Sequence, residues 1–283
     1  MNLKFCAAPF LIVVAMMMAS SCTLHRAADA DTRVVIAGRQ VDIWRPSNPG
    51  PAPLVVFSHG FHGCGSQSKF LTRALAEDGY FVVAPNHADA ACSDLAKWRD
   101  RPEESFRSPQ NWTDATYRDR ADDIRAVLDA LHRDPAYARR IDWTRIALVG
   151  HSLGGYTALA LAGGWPSWRL ANVRAVLALS PACAPLAEHG ALGMLGVPVE
   201  YQGGSRDYAV TPQIRRPQGC YDQTASPATY IEFQGAGHFA WTDLQPRFHR
   251  AIIAYSLAFL DERMKSQQTP PPSRDQVSDL REK

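Results

Sequence analysis

Excess charge of either sign is missing from this 283-residue chain. Thirty Lys and Arg face 28 Asp and Glu, a formal net charge of +2. There is no basic stripe and no aromatic platform on which bases would stack, which argues against a nucleic-acid partner. No glycine-rich phosphate loop of the Walker type occurs. The paired carboxylates of a glycosidase are not visible as a pattern. His59, His62, His87 and Cys64 cluster in the sequence, but their spacing matches no common zinc signature. No metal and no cofactor is therefore expected. Internal repeats are absent. Long apolar runs are also scarce: the one that stands out covers residues 5–19, too short to span a bilayer and interrupted by Pro9.

That run is a targeting segment by its layout. Lys4 precedes it, Leu11 to Met18 form its apolar heart, and small residues close it, as in a secretory signal peptide. Ala19-Ser20-Ser21-Cys22 resembles a bacterial lipobox, which sets residues 1–21 as a lipoprotein-type signal and Cys22 as the acylated, membrane-anchoring residue. Ala19 departs from that pattern, where leucine is preferred. The alternative is cleavage near Ala30 and a soluble secreted protein. Both routes lead to an oxidising compartment, periplasmic, outer-membrane-anchored or secreted. Cys6 leaves with the signal, and Cys64, Cys92, Cys183 and Cys220 remain, an even number that allows three pairings. Pairs Cys64–Cys92 and Cys183–Cys220 are expected, because loops leaving neighbouring parallel strands meet at one sheet edge.

What the chain does have is Gly150-His151-Ser152-Leu153-Gly154. The pattern alone decides little; its setting decides more. The apolar run 145–149 precedes it and a small-residue helical stretch, 156–162, follows. This strand, sharp turn and helix are the setting of a nucleophile elbow, which holds the serine out at the top of a sheet. A serine hydroxyl needs an adjacent base to attack at neutral pH. His238, at the exit of Gly235-Ala236-Gly237, is the expected base, and Asp207, after Gly203-Gly204-Ser205-Arg206, the expected orienting acid. Asp222, Asp243 and His249 are the rivals. Asp207 is preferred because it alone directly follows a predicted strand. His249 falls within a helical pattern. For an oxyanion, strand 54–58 runs into His59-Gly60-Phe61-His62-Gly63, and the N–H groups of Phe61 and Leu153 are the candidate donors.

With these four motifs in this order, the chain resembles the α/β-hydrolase superfamily over about residues 40–262. More narrowly it resembles the dienelactone-hydrolase-like and platelet-activating-factor-acetylhydrolase-like esterases, with bacterial polyester hydrolases as relatives. Dienelactone hydrolases use a cysteine nucleophile, whereas position 152 is serine, which points to ordinary esters. The resemblance implies an exported serine hydrolase that cleaves small or polymeric carboxylic esters through an acyl-enzyme. An acyltransferase, thioesterase or peptidase on the same fold is the alternative. A non-catalytic binding protein is a further one, disfavoured because all three triad residues are present.

The alternation along the chain fits an α/β-hydrolase fold: a mostly parallel central sheet with helices on both faces. Strands are predicted over 33–36, 40–44, 54–58, 80–84, 146–149, 173–179, 197–201 and 229–233. Helices are predicted over 67–78, 116–133 and 246–263. In the second of these, Ile124, Val127, Leu128 and Leu131 repeat at helical spacing. One catalytic domain is expected over 32–264, then a disordered tail over 265–283, polar beyond Pro270-Pro271-Pro272. The long connection 85–115 is either a wall of the substrate cleft or a surface excursion pinned by Cys92. Phe61, Tyr156, Phe239 and Trp241 flank the motifs and are the candidate substrate-binding aromatics.

Overall fold

The computed structural model describes residues 30–283 apart from Ser93. The signal segment and Cys22 lie outside the described residues. Nine strands form one sheet: β1 (Thr32–Ile36), β2 (Arg39–Trp44), β3 (Ala52–Ser58), β4 (Phe81–Pro85), β5 (Ile141–His151), β6 (Val173–Leu179), β7 (Val199–Gly204), β8 (Ala228–Phe233) and β9 (Val277–Glu282). Their spatial order is β1-β2-β4-β3-β5-β6-β7-β8-β9. The six strands from β4 to β8 run parallel to their neighbours, and antiparallel pairs close both edges.

The central strands are apolar on both faces because both are covered. In β3, Leu54 and Val56 point into one core with Ile124, Val127, Leu128 and Leu131 of the helix Arg118–Arg133. Val55 and Phe57 point into the other, with Phe70, Leu71 and Leu75 of the helix Lys69–Glu77 and Ile252, Phe259 and Leu260 of the helix His249–Lys265. Period two in the strand and a 3.6-residue stripe in the helix meet here. Each such aliphatic or aromatic side chain contributes about 1.5–3 kcal/mol on burial.

Two expectations are corrected. The strand expected over 197–201 instead runs from Val199 to Gly204, so Gly203 and Gly204 are its last residues, paired with Glu232 and Phe233. The tail expected to be disordered over 265–283 instead ends in β9, so the ordered unit extends past residue 264. Ala228 and Lys283 exchange two backbone hydrogen bonds of 3.0 Å, and the Arg281 guanidinium lies over the Tyr230 ring, 5.4 Å from its centre. β8 offers an open row of backbone donors and acceptors, and the polar tail satisfies it without needing a core of its own.

The cysteines pair as Cys64–Cys92 and Cys183–Cys220. The first pair ties the long connection 85–115 to the loop after β3. That connection carries two short 3-10 turns, Leu95–Arg99 and Pro109–Asn111. Its Trp98, Phe106, Pro109 and Trp112 line a cleft, so it is a wall rather than a surface excursion.

Candidate active site

β5 is central, paired with β3 on one side and β6 on the other, and Ser152 stands at its end. Its backbone takes φ 56° and ψ −118°, a left-handed bend that an L-residue holds only under surrounding constraint. The neighbours supply it. Ser152 N–H donates to Leu179 O at 3.0 Å, and Ser152 O accepts from Ala182 N at 2.9 Å. Glycine is required around it by space. A Cβ at Gly150 would lie 2.1 Å from Gly154 O, and one at Gly154 would lie 1.9 Å from Ser58 O. The helix Leu153–Leu159 starts directly after the serine, so the Leu153 N–H belongs to the first turn, where no intrahelical acceptor exists.

Ser152 Oγ lies 3.0 Å from His238 Nε2, and His238 Nδ1 lies 3.0 Å from Asp207 Oδ2. Three side chains separated by 55 and 31 positions in the chain thus form one hydrogen-bonded relay. Asp207 follows β7, and His238 opens a short turn after β8, both at the edge where β5 ends. The rivals are engaged elsewhere. Asp222 accepts from Gln218 N, Asp243 accepts from Phe70 N, and His249 is stacked on Phe70.

Burial grades along the relay. Asp207 is 3% exposed, the His238 side chain 27%, and Ser152 faces the cleft. Burial alone would raise the Asp207 carboxyl. The hydrogen bond and charge of His238, and the hydroxyl of Ser180, outweigh it and hold the group below the usual aspartate range. Ser180 was not visible as a site residue in the sequence. It directly follows β6, is fully buried, donates to Asp207 Oδ2, and sits 3.0 Å from His238 Nδ1. Its signal was weak: a serine directly after an apolar strand, before Pro181.

His151, the variable residue of the elbow, ties the site together. Its Nε2–H donates to His238 O at 2.8 Å, and its Nδ1 accepts from Gln67 Nε2 at 3.1 Å. Gln67 in turn accepts from Gly60 N–H at 3.0 Å. Burial, then the neighbouring His238, lower the His151 pKa to about 3, so the ring is neutral.

The loop after β3 lies against Ser152: a Cβ on Gly60 would lie 3.3 Å from Ser152 Cβ. Beneath it Ser58, His87 and Asp123 form a second Ser-His-Asp chain, with Ser58 Oγ 2.9 Å from His87 Nε2 and His87 Nδ1 3.2 Å from Asp123. Ser58 and His87 are each 2% exposed, so no substrate reaches them. Burial, then the Arg120 charge, lower the His87 pKa well below the usual range. This second chain is scaffold. Among the described residues, no three His, Cys, Asp or Glu side chains gather as a metal-holding group.

The cleft above Ser152 has a volume of about 1250 Å³. Phe61 lines it, stacked on His62 with ring centres 3.8 Å apart and edge-on to Phe106 at 6.1 Å. Phe239 lines it too and is 53% exposed. Tyr156 and Trp241, expected as substrate contacts, are corrected: both are fully buried and do not line the cleft. Tyr156 Oη donates to Thr116 O at 3.1 Å, and Trp241 Nε1 donates to Gln202 Oε1 at 2.9 Å. Each ring is large enough to serve as core beneath a loop, and its polar tip has a partner inside.

A nine-stranded, mostly parallel sheet with helices on both faces and a strained serine at a strand-to-helix turn defines the α/β-hydrolase class. The alpha/beta hydrolase family model matches residues 55–278, and the chain belongs to that family. It is 25% identical to Cutinase est2 of Thermobifida alba over 246 residues, which cover 85% of this chain and 71% of that protein. It is 26% identical to Cutinase 2 of Thermobifida cellulosilytica over 223 residues, 77% of this chain and 71% of the relative. Cutinase cut1 of Thermobifida fusca is 26% identical, with 77% of this chain and 58% of that protein covered.

Proposed function

We propose that this chain is an exported serine esterase that hydrolyses carboxylic esters, polymeric ones included, through an acyl-enzyme. The observation that carries the reading is the 3.0 Å and 3.0 Å relay from Ser152 through His238 to Asp207 at the floor of an apolar cleft. His238 Nε2 takes the Ser152 proton as Oγ attacks the ester carbonyl. Asp207 holds the imidazole tautomer and stabilises the imidazolium. The tetrahedral oxyanion rests on the N–H groups of Phe61 and Leu153. As the C–O bond to the leaving alcohol breaks, His238 returns the proton to that alcohol. Water, deprotonated by His238, then attacks the acyl-enzyme and releases the acid.

The substrate class follows from the cleft. Its walls are largely apolar, and Phe61, Trp98, Phe106 and Phe239 line it beside Ser152. An open groove of this kind fits a bulky acyl chain or a polymer segment better than a closed pocket for a small ester. The cutinase names of the relatives agree with that reading. Export is supported by the two disulfides, which persist in oxidising compartments. Lipid attachment at Cys22 is part of the proposal, and metabolic labelling with a palmitate analogue, lost in Cys22→Ala, tests it.

Ser152→Ala is expected to lower turnover of a nitrophenyl ester at least about 10⁴-fold without changing the melting temperature by more than a few degrees. Full retained activity would refute the assignment. A chain-length series with a polyester film, run with and without added alcohol, separates hydrolysis from acyl transfer.

A further inference from the structure

The peptide that carries the Phe61 N–H is held from behind by an ion pair that reaches no substrate. Arg120, on the helix Arg118–Arg133, is fully buried. Its Nη1 donates to His59 O at 2.8 Å, and its Nη2 reaches Gly60 O at 3.4 Å. Its other face is clamped by Asp89, with Nη2 3.0 and 2.9 Å from the two carboxylate oxygens and Nε 3.2 Å from Oδ1. Gly60 O also accepts from His59 Nδ1–H at 2.7 Å and from Gly63 N at 2.9 Å. That fixes the His59 tautomer, because His59 Nε2 then accepts from His87 N–H at 3.0 Å. Ser58 Oγ lies 3.4 Å from Arg120 Nη1, and Asp123 is closed off by Arg39 at 2.6 Å. Arg120, Ser58, His59, His87 and Asp123 are buried, and every member of the network has a partner, the condition under which such networks impose one geometry.

A trans peptide is planar, with its C=O and N–H pointing in opposite directions. Pulling Gly60 C=O into this network therefore turns the Phe61 N–H the opposite way, and Gly60 itself packs on Ser152, where a Cβ would lie 3.3 Å from Ser152 Cβ. We infer that Arg120, clamped by Asp89, is a positioning residue that aims the Phe61 N–H at the developing oxyanion, an inference that rests on reading Ser152 as the nucleophile. The guanidinium suits this task. It is always charged and planar, and it grips two successive carbonyls and a carboxylate at once, which a lysine ammonium cannot match. Burial would raise the Asp89 carboxyl, but Arg120 outweighs it and brings the group down to about 2, so the pair stays ionised across the working range.

The test compares the wild type, Arg120→Lys and Asp89→Asn on one nitrophenyl ester and on its thionoester, with melting curves for each protein. Sulfur is a poorer and larger acceptor, so aligned oxyanion donors favour the ester. In Arg120→Lys, kcat on the ester should fall at least tenfold with KM within twofold, and the ester-to-thionoester ratio of kcat/KM should fall by a similar factor. Asp89→Asn should show the same pattern, smaller. If Arg120→Lys does not fold, the same ratio in Asp89→Asn decides. Unchanged kcat and ratio in a folded variant, or an equal loss on both substrates, would overturn the inference. Activity that survives Ser152→Ala would instead strike the reading beneath it, so the two failures are distinguishable.

Discussion

His151 makes stability fall in weak acid by an amount that can be worked out. It is 2% exposed, its Nε2–H donates to His238 O, and its folded pKa is about 3 against about 6.5 for a free histidine. The unfolded chain takes up this proton near pH 6.5, and the folded protein takes it up only near pH 3. The contribution is fully present above pH 6.5 and is lost steadily as pH falls toward 3. Between pH 7.5 and 5 the unfolded state gains nearly one proton over 1.5 pH units below its pKa, a loss of about 2 kcal/mol. His151→Gln removes the titration while keeping a side chain that can hydrogen-bond. The variant will start less stable, so the slope is the readout. Urea unfolding of both proteins, disulfides intact, at pH 7.5, 6.5, 5.5 and 5.0 supplies it. His59 and His87, whose pKa values burial also lowers, are common to both and cancel in the difference. The wild type should lose about 2 kcal/mol more than the variant over this range. Parallel curves, within about 0.5 kcal/mol, would mean that His151 does not stay neutral inside the fold, and the reasoning from burial would fail.

Three further outcomes are expected. Ser180→Ala removes the hydroxyl shared by Asp207 and His238; a hydrogen bond to a charged group is worth about 1.5–3 kcal/mol, so steady-state kinetics should show kcat down roughly 10- to 100-fold with KM little changed. Gly154→Ala places a Cβ 1.9 Å from Ser58 O, a backbone atom that cannot rotate away, and should cost at least about 3 kcal/mol, seen as a melting temperature lower by roughly 6 °C or more. Deleting residues 267–283 removes β9 and bares the edge of β8; light scattering should reveal concentration-dependent association, and calorimetry a lower melting temperature, whereas an equally stable monomer would show that the tail is dispensable.

The chemistry-bearing motifs were legible because each is local. The strand, the glycines at 150 and 154 and the helix that make an elbow are neighbours in sequence, and the same holds for Gly60-Phe61 after β3. The period-two and 3.6-residue patterns gave the alternating elements for the same reason. Ser180 and Arg120 were not legible. A serine at a strand end and an arginine in a polar helix look ordinary until β6 and the helix Arg118–Arg133 are set beside β7 and β3.

By itself the sequence determined the tight strand-to-helix turn at Ser152, the chain order of Ser152, Asp207 and His238, and the alternation that makes a parallel sheet. These depend on spacing within one element and on which residues a tight turn admits. Tertiary structure alone decided which aromatics face the cleft, burying Tyr156 and Trp241 and leaving Phe61 and Phe239 on its surface. It alone decided that a polar tail becomes a strand and that one of two Ser-His-Asp chains is sealed from substrate. Burial and edge pairing are properties of what lies opposite a residue, and residues tens of positions away in the chain supply that.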